Sequence, residues 1–190
     1  MTRVQLISHP ATPMRQVKAF DVSLSLGGDG GLAADFECRC HGGALRLPEA
    51  LRLPEVRPAA AADELWRHTC CELFVGVAGD AAYREFNFSP SGQWALYGFS
   101  DYRARDSSRQ NVALPAPGIR FASGAVGWTL QARLDAAALP AMAGAQIELG
   151  VAVVLEAADG NLSYWALRHA AMQPDFHRRE SFVLRLSDLA

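Results

Sequence analysis

The 190-residue sequence predicts an all-β chain folded as an antiparallel β-sandwich. Three observations carry that expectation. Apolar residues alternate with polar ones at period two along most of the chain. Glycine, proline and aspartate punctuate the alternating stretches. No segment carries the long apolar stripe of an amphipathic helix, because the alanine stretches Ala59 to Ala62 and Ala136 to Ala138 are short and interrupted by prolines, and make at most single turns.

Each strand follows from its own pattern. Phe20, Val22, Leu24 and Leu26 alternate along one stretch. Leu32, Ala34, Phe36, Cys38 and Cys40 alternate along the next, with Asp35, Glu37 and Arg39 on the opposite face. Gly27-Gly28-Asp29-Gly30-Gly31 joins these two as a flexible hairpin loop. The cleanest alternation runs over 126–134, where Val126, Trp128, Leu130, Ala132 and Leu134 are all apolar. Further strands are expected at 70–77, 83–89, 94–99, 147–155, 162–167 and 182–186, with Ser91-Gly92 and Asp159-Gly160 as tight turns. The segment 103–118 is the longest expected loop, and loops of that length often line sites.

Composition narrows the function classes. Half the residues are hydrophobic, a fifth are charged and the net charge is -2, as in an ordinary globule. Lys18 is the lone lysine and the arginines are scattered, so no nucleic-acid partner is expected. The first ten residues lack the apolar core of a secretory signal and no apolar run is long enough to span a bilayer, so a cytoplasmic location and no membrane partner are expected. Cys38, Cys40, Cys70 and Cys71 are then reduced thiols. Residues 1–190 are expected to form one domain, since no repeat or linker interrupts them.

The segment richest in chemistry runs from Asp63 to Tyr97 and is expected to form a three-strand meander. Its middle strand puts Tyr83, Glu85, Asn87 and Ser89 on one face, with Phe86 and Phe88 on the other. Glu72 on the preceding strand falls beside Glu85 or Asn87. Carboxylates and an amide backed by aromatic surface suit sugar hydroxyls, while rings cover the apolar face of a pyranose.

Three motifs extend this picture: Trp66 followed by Thr69-Cys70 and Glu72-Leu73-Phe74; Tyr83-x-Glu85-Phe86-Asn87-x-Ser89-Pro90-x-Gly92-x-Trp94; and Tyr164-Trp165-Ala166-Leu167 followed by Pro174-Asp175-Phe176-His177. On these motifs the chain resembles the bacterial DOMON-like domains, which are similar to the family-nine carbohydrate-binding modules. The resemblance spans most of the chain and implies a jelly-roll or immunoglobulin-like β-sandwich of about ten strands. It also implies a site for a sugar or, in the wider superfamily, haem. The sugar-binding modules clamp their ligand between two aromatic side chains and carry structural calcium. Trp66 and Trp165 are the first clamp candidates here and Tyr97 and Tyr102 the next, and no Asp-rich loop reads as a calcium site.

The leading expectation is a non-catalytic binding module for a small carbohydrate or related polar ligand, with no cofactor. Trp66, Trp165 and Tyr97 would supply stacking; Glu72, Glu85, Asn87 and Arg103 would supply hydrogen bonds, with His177 on the bordering loop. Each has a structural alternative. The polar trio could be paired internally with Arg67, Arg84 or Arg103, and Trp66 and Trp165 could be core, as Trp94 and Trp128 are expected to be. Haem is the second reading, with His169 and either Met172 or His177 as axial ligands, against a turn in which Asp175 caps backbone amides. A protein-interaction module without a small ligand is the third. Two glutamates could also serve glycoside hydrolysis. Cys38-x-Cys40-His41 with His68, Cys70 or Cys71 could hold a metal, but inward-facing Cys38 and Cys40 read better as small core residues.

Overall fold

The computed structural model describes residues 1–47, 60–110, 114–140 and 144–189. Ala59 and residues 111–113 of the expected long loop lie outside them. The described residues are all-β with a few short helical turns. In chain order the strands are β1 (Thr2–Ser8), β2 (Val17–Leu26), β3 (Leu32–Cys40), β4 (Ala60–Ala61), β5 (Cys70–Val77), β6 (Tyr83–Phe88) and β7 (Gln93–Asp101). Then come β8 (Ala104–Arg105), β9 (Gly118–Gly124), β10 (Gly127–Leu134), β11 (Ile147–Glu156), β12 (Leu162–Ala166) and β13 (Leu184–Arg185).

These strands form one sheet in the order β4-β7-β6-β5-β11-β12-β1-β2-β3-β10-β9, with β13 added on β11 and β8 on β7. Every pair is antiparallel except β4 with β7, so the sheet is mixed. β1 makes the corner: Thr2 to Leu6 pair with β2, whereas Ile7 and Ser8 pair with Ala166 and Trp165 of β12. Through that change of partner the sheet curls into a half-barrel.

The curl brings two inner faces together around one core. Phe20, Val22 and Leu24 of β2, Phe36 and Cys38 of β3, and Trp128 and Leu130 of β10 meet Cys71, Leu73 and Val75 of β5, Phe86 and Phe88 of β6, and Leu149, Val151, Val153 and Leu155 of β11. The alternation in each strand dictates this, since period two puts the apolar set on one face. Cys38 and Cys40 are buried with free thiols, as are Cys70 and Cys71 on opposite faces of β5. Four strands were not anticipated, two of them only two residues long: β4 lies in the alanine stretch expected to make a turn, and β8 in the expected long loop. β1 carries the alternation Val4, Leu6 within the segment read for targeting signals, and β9 occupies the end of the expected long loop.

Other boundaries moved for local reasons. Val126 is 79% exposed in the β9–β10 turn, so β10 starts one residue later, at Gly127. Gly127 has φ of 147° and its position for a Cβ lies 1.9 Å from the Cys38 carbonyl oxygen, so only glycine fits there. The strand expected over 182–186 shortens to β13, with single turns of 3-10 helix on either side.

Candidate functional site

The second face of the half-sheet β7-β6-β5-β11-β12 carries the chemistry. Ala95, Tyr97 and Phe99 of β7, Tyr83 of β6, Phe74 of β5, Ala152 and Val154 of β11 and Ala166 of β12 cluster there. Glu72, Glu85 and Asn87 share this face by alternation, and Glu72 lies directly opposite Asn87 in the β5–β6 register. Three segments cover the face: the 3-10 turn Leu65–Arg67, the β7–β8 hairpin tip, and the run that follows β12.

Between face and cover is a cavity of about 280 Å3. That is near the lower end of small-molecule sites, which run from roughly 300 Å3 upward. Glu72 and Glu85 line it together with the aromatic surfaces of Trp66, Phe99, Tyr164 and Phe176. Arg103, Arg105, Val154, Pro174 and His177 complete the lining.

The two glutamates sit in unlike surroundings. Glu85 Oε1 accepts from Asn87 Nδ2 at 2.7 Å, and Asn87 Oδ1 in turn accepts from the Cys70 thiol at 3.2 Å. Glu72 is 3% exposed. It makes no hydrogen bond or ion pair with any described residue. Burial raises its carboxyl well above the ordinary carboxylate range; nearby Glu85 adds to this and Arg103 opposes it. Burial also raises Glu85, against the Asn87 hydrogen bond and the two arginines.

His177 is fixed as a neutral imidazole. Tyr83 Oη accepts the Arg103 backbone N–H at 3.2 Å, so its own hydroxyl hydrogen is free to donate to His177 Nδ1 at 2.8 Å. The ring proton then lies on Nε2, which faces Glu85 Oε2 at 3.7 Å. Burial, with Arg103 adding, lowers the His177 pKa to about 4, so this contact is a neutral N–H beside a carboxyl rather than an ion pair.

Asp175 holds the covering run in place. It accepts from Arg103 Nη2 at 3.0 Å, Tyr102 Oη at 2.7 Å, Arg178 Nε at 3.1 Å and the His177 backbone N–H at 3.2 Å. Arg103 adopts φ of 52°, an uncommon conformation for a side-chain-bearing residue, at the hairpin tip. Arg105 lies over the Tyr97 ring at 4.2 Å and the Trp66 ring at 5.5 Å.

Of the residues singled out from sequence, Trp66, Glu72, Glu85, Arg103 and His177 line the cavity. Asn87 and Tyr97 stand behind that lining. Asn87 is fully buried against Glu85, and Tyr97 packs edge-on to Trp66 with ring centroids 5.3 Å apart while donating to Asp63. Trp165 is not at the site. It faces the main core, 7% exposed, against Phe20, with its indole N–H on Ser163 Oγ. Tyr164, its neighbour, takes the cavity side because successive strand residues alternate. Tyr164, Phe99, Phe176 and Arg105 escaped sequence reasoning, and alternation in β12 does not by itself choose Tyr164 over Trp165 for the cavity side. Tyr102 is 46% exposed and pairs with Asp175 rather than facing the cavity.

The residues proposed for haem do not present ligand atoms to one centre. His169 Nε2 is engaged by the Ile7 carbonyl at 2.9 Å, Met172 is 91% exposed, and His177 Nδ1 is taken by Tyr83. The cavity residues therefore do not fit a haem held by these side chains. Arg84, one of the expected internal partners, donates to the Ala138 carbonyl, and Arg67 pairs with Glu64.

No family model and no curated protein matches the chain. Among solved structures, a Bacteroides uniformis protein provisionally described as carbohydrate-binding is similar, with a TM-score of 0.64 at 13% identity. The match covers 96% of this chain and 84% of that one. At this identity the likeness is one of fold.

Proposed function

We propose that the chain is a non-catalytic binding module for a small carbohydrate or related polar ligand, held in the cavity beneath Trp66 and Tyr164. The observation that carries the proposal is the cavity's composition. Buried carboxyls on a rigid sheet floor meet aromatic walls in a volume suited to a sugar ring. The fold of the Bacteroides uniformis protein described as carbohydrate-binding lends weak support. The proposal extends to the DOMON-like and family-nine type of sandwich, of which the curled sheet would be a variant, and to a single domain working in the cytoplasm without nucleic acid or membrane.

Titration calorimetry against a panel of mono- and disaccharides tests it. A saturable sugar signal is expected, weakened about tenfold by Trp66→Ala through loss of ring stacking. Incubation with the bound sugar, followed by a reducing-end assay, should show no new products. Absence of heat across the panel would sink the proposal, and turnover lost on mutating either glutamate would replace it with a hydrolase.

A further inference from the structure

Glu72 and Glu85 need more than neutral hydroxyls. Both are nearly fully buried, at 3% and 4% exposure, and both open on the same cavity from adjacent strands. Glu72 has no partner among the described residues, although it is aimed into the cavity. Of the charged and titratable groups around the pair, the buried Cys70 thiol brings no positive charge, and Arg103 and Arg105 act on the glutamates without an ion-pair contact to either carboxyl. Arg103 is held by Asp175 at 3.0 Å, and Arg105 is stacked on Tyr97 at 4.2 Å. His177 is neutral and bound to Tyr83, and the Tyr164 hydroxyl brings no positive charge.

Two neighbouring carboxyls removed from water ionise together only when a cation is placed with them. Neutral sugar hydroxyls donate hydrogen bonds but bring no such charge. An ammonium group brings the charge and three donors, enough to satisfy the free Glu72 oxygens and the Glu85 Oε2 lone pairs at once. Aromatic walls at Trp66, Phe99, Tyr164 and Phe176 favour a cation further.

We propose that the ligand of this cavity is an amino sugar, its ammonium group seated between Glu72 and Glu85 and its apolar ring face against Trp66 or Tyr164. This deepens the carbohydrate proposal and rests on it. Binding then releases a proton: the ligand arrives as ammonium, the Glu72 O–H bond breaks, and its proton passes to the buffer. No electron is gained or lost.

Glucosamine, N-acetylglucosamine and glucose are the probes, titrated calorimetrically at about pH 6.5, where an amine of ordinary basicity is ammonium. Glucosamine is expected to bind about tenfold or more tighter than the two neutral sugars, the usual scale for a charge-assisted contact. Its apparent enthalpy should differ between buffers of unlike ionisation enthalpy, reporting about one proton released per sugar bound. Glu72→Gln should abolish both the preference and the proton release. Glu85→Gln should do the same, and near-ultraviolet circular dichroism checks that each variant is folded. Equal binding of all three sugars without proton release overturns the amino-sugar inference and leaves the carbohydrate proposal standing. Silence from all three overturns both.

Discussion

Glu72 and His177 pull the stability of the free protein in opposite directions with pH. Glu72 is raised from 4.5, first by burial and then by Glu85. At pH values below 4.5 the carboxyl is protonated in both the folded and the unfolded chain and costs nothing. As pH rises beyond that, the unfolded chain releases a proton that the folded one keeps, and stability falls. His177 is lowered from 6.5 to about 4, chiefly by burial. Between those values the unfolded chain takes up a proton the folded one refuses, so stability falls as pH drops through that window. Glu72→Gln is therefore expected to be more stable than the parent at about pH 7, by on the order of 1 kcal/mol. The gap should close toward pH 4.5. Urea unfolding across a pH series measures it; an unchanged slope in the variant would mean Glu72 does not stay protonated in the fold. Removing the amide beside Glu85 should act the other way. Asn87→Ala leaves a buried carboxyl and a thiol without their partner and should cost about 1–3 kcal/mol, read from the same urea curves. The sequence disclosed the polar trio because alternation alone puts Glu85 and Asn87 on one face. It did not disclose the choice between Tyr164 and Trp165, since an aromatic pair at adjacent positions must divide between the two faces and either division satisfies the pattern.

Among the elements, the floor of the site was legible and the cover was not. β5, β6 and β7 announce themselves by local alternation and follow one another as a meander. The cover comes from segments near residues 65, 103 and 176, and their meeting depends on the curl of the sheet rather than on any local pattern. The turn at Arg179–Ser181 and Phe182 continue this cover and carry little periodicity. One latch holds the run to the adjoining ends of β5 and β11: the Arg179 guanidinium lies across Gly76 and donates to the Val77 carbonyl and to Glu148, each at 2.9 Å. A Cβ at Gly76 would stand 1.7 Å from Arg179 Nη1. Gly76→Ala thus expels a flexible side-chain tip and should cost only about 1 kcal/mol of global stability. Its larger effect is local. Amide hydrogen exchange is expected to quicken over residues 174–182 while β2, β3 and β10 keep their protection, and any sugar binding should weaken with the loosened cover. Faster exchange throughout the sheet would instead make the latch part of the global fold.

For the whole molecule, alternation in the sequence announced an all-β chain, and the way the sheet closes was hidden in β1. Thr2 to Leu6 pair with β2 and the next two residues with β12, so a seven-residue strand joins halves that would otherwise be separate sheets. No propensity marks such a change of partner, because it is fixed by what lies on either side. Its consequence is a shared core: Phe36 of β3 and Phe88 of β6 belong to one apolar cluster although they come from opposite halves. If that cluster governs stability, the chain unfolds as a single unit and neither half survives alone. Phe36→Ala removes a ring that is 1% exposed and should cost about 3–5 kcal/mol. The loss should appear equally in amides of β2 and β11, on either side of the corner, and in one calorimetric transition at a lowered midpoint. Two resolved transitions, or a loss of protection confined to β2, β3 and β10, would show that the halves fold as separate units. The corner strand would then be a hinge between them, and the cavity floor, built wholly on the other half, would keep its shape when the first half is weakened.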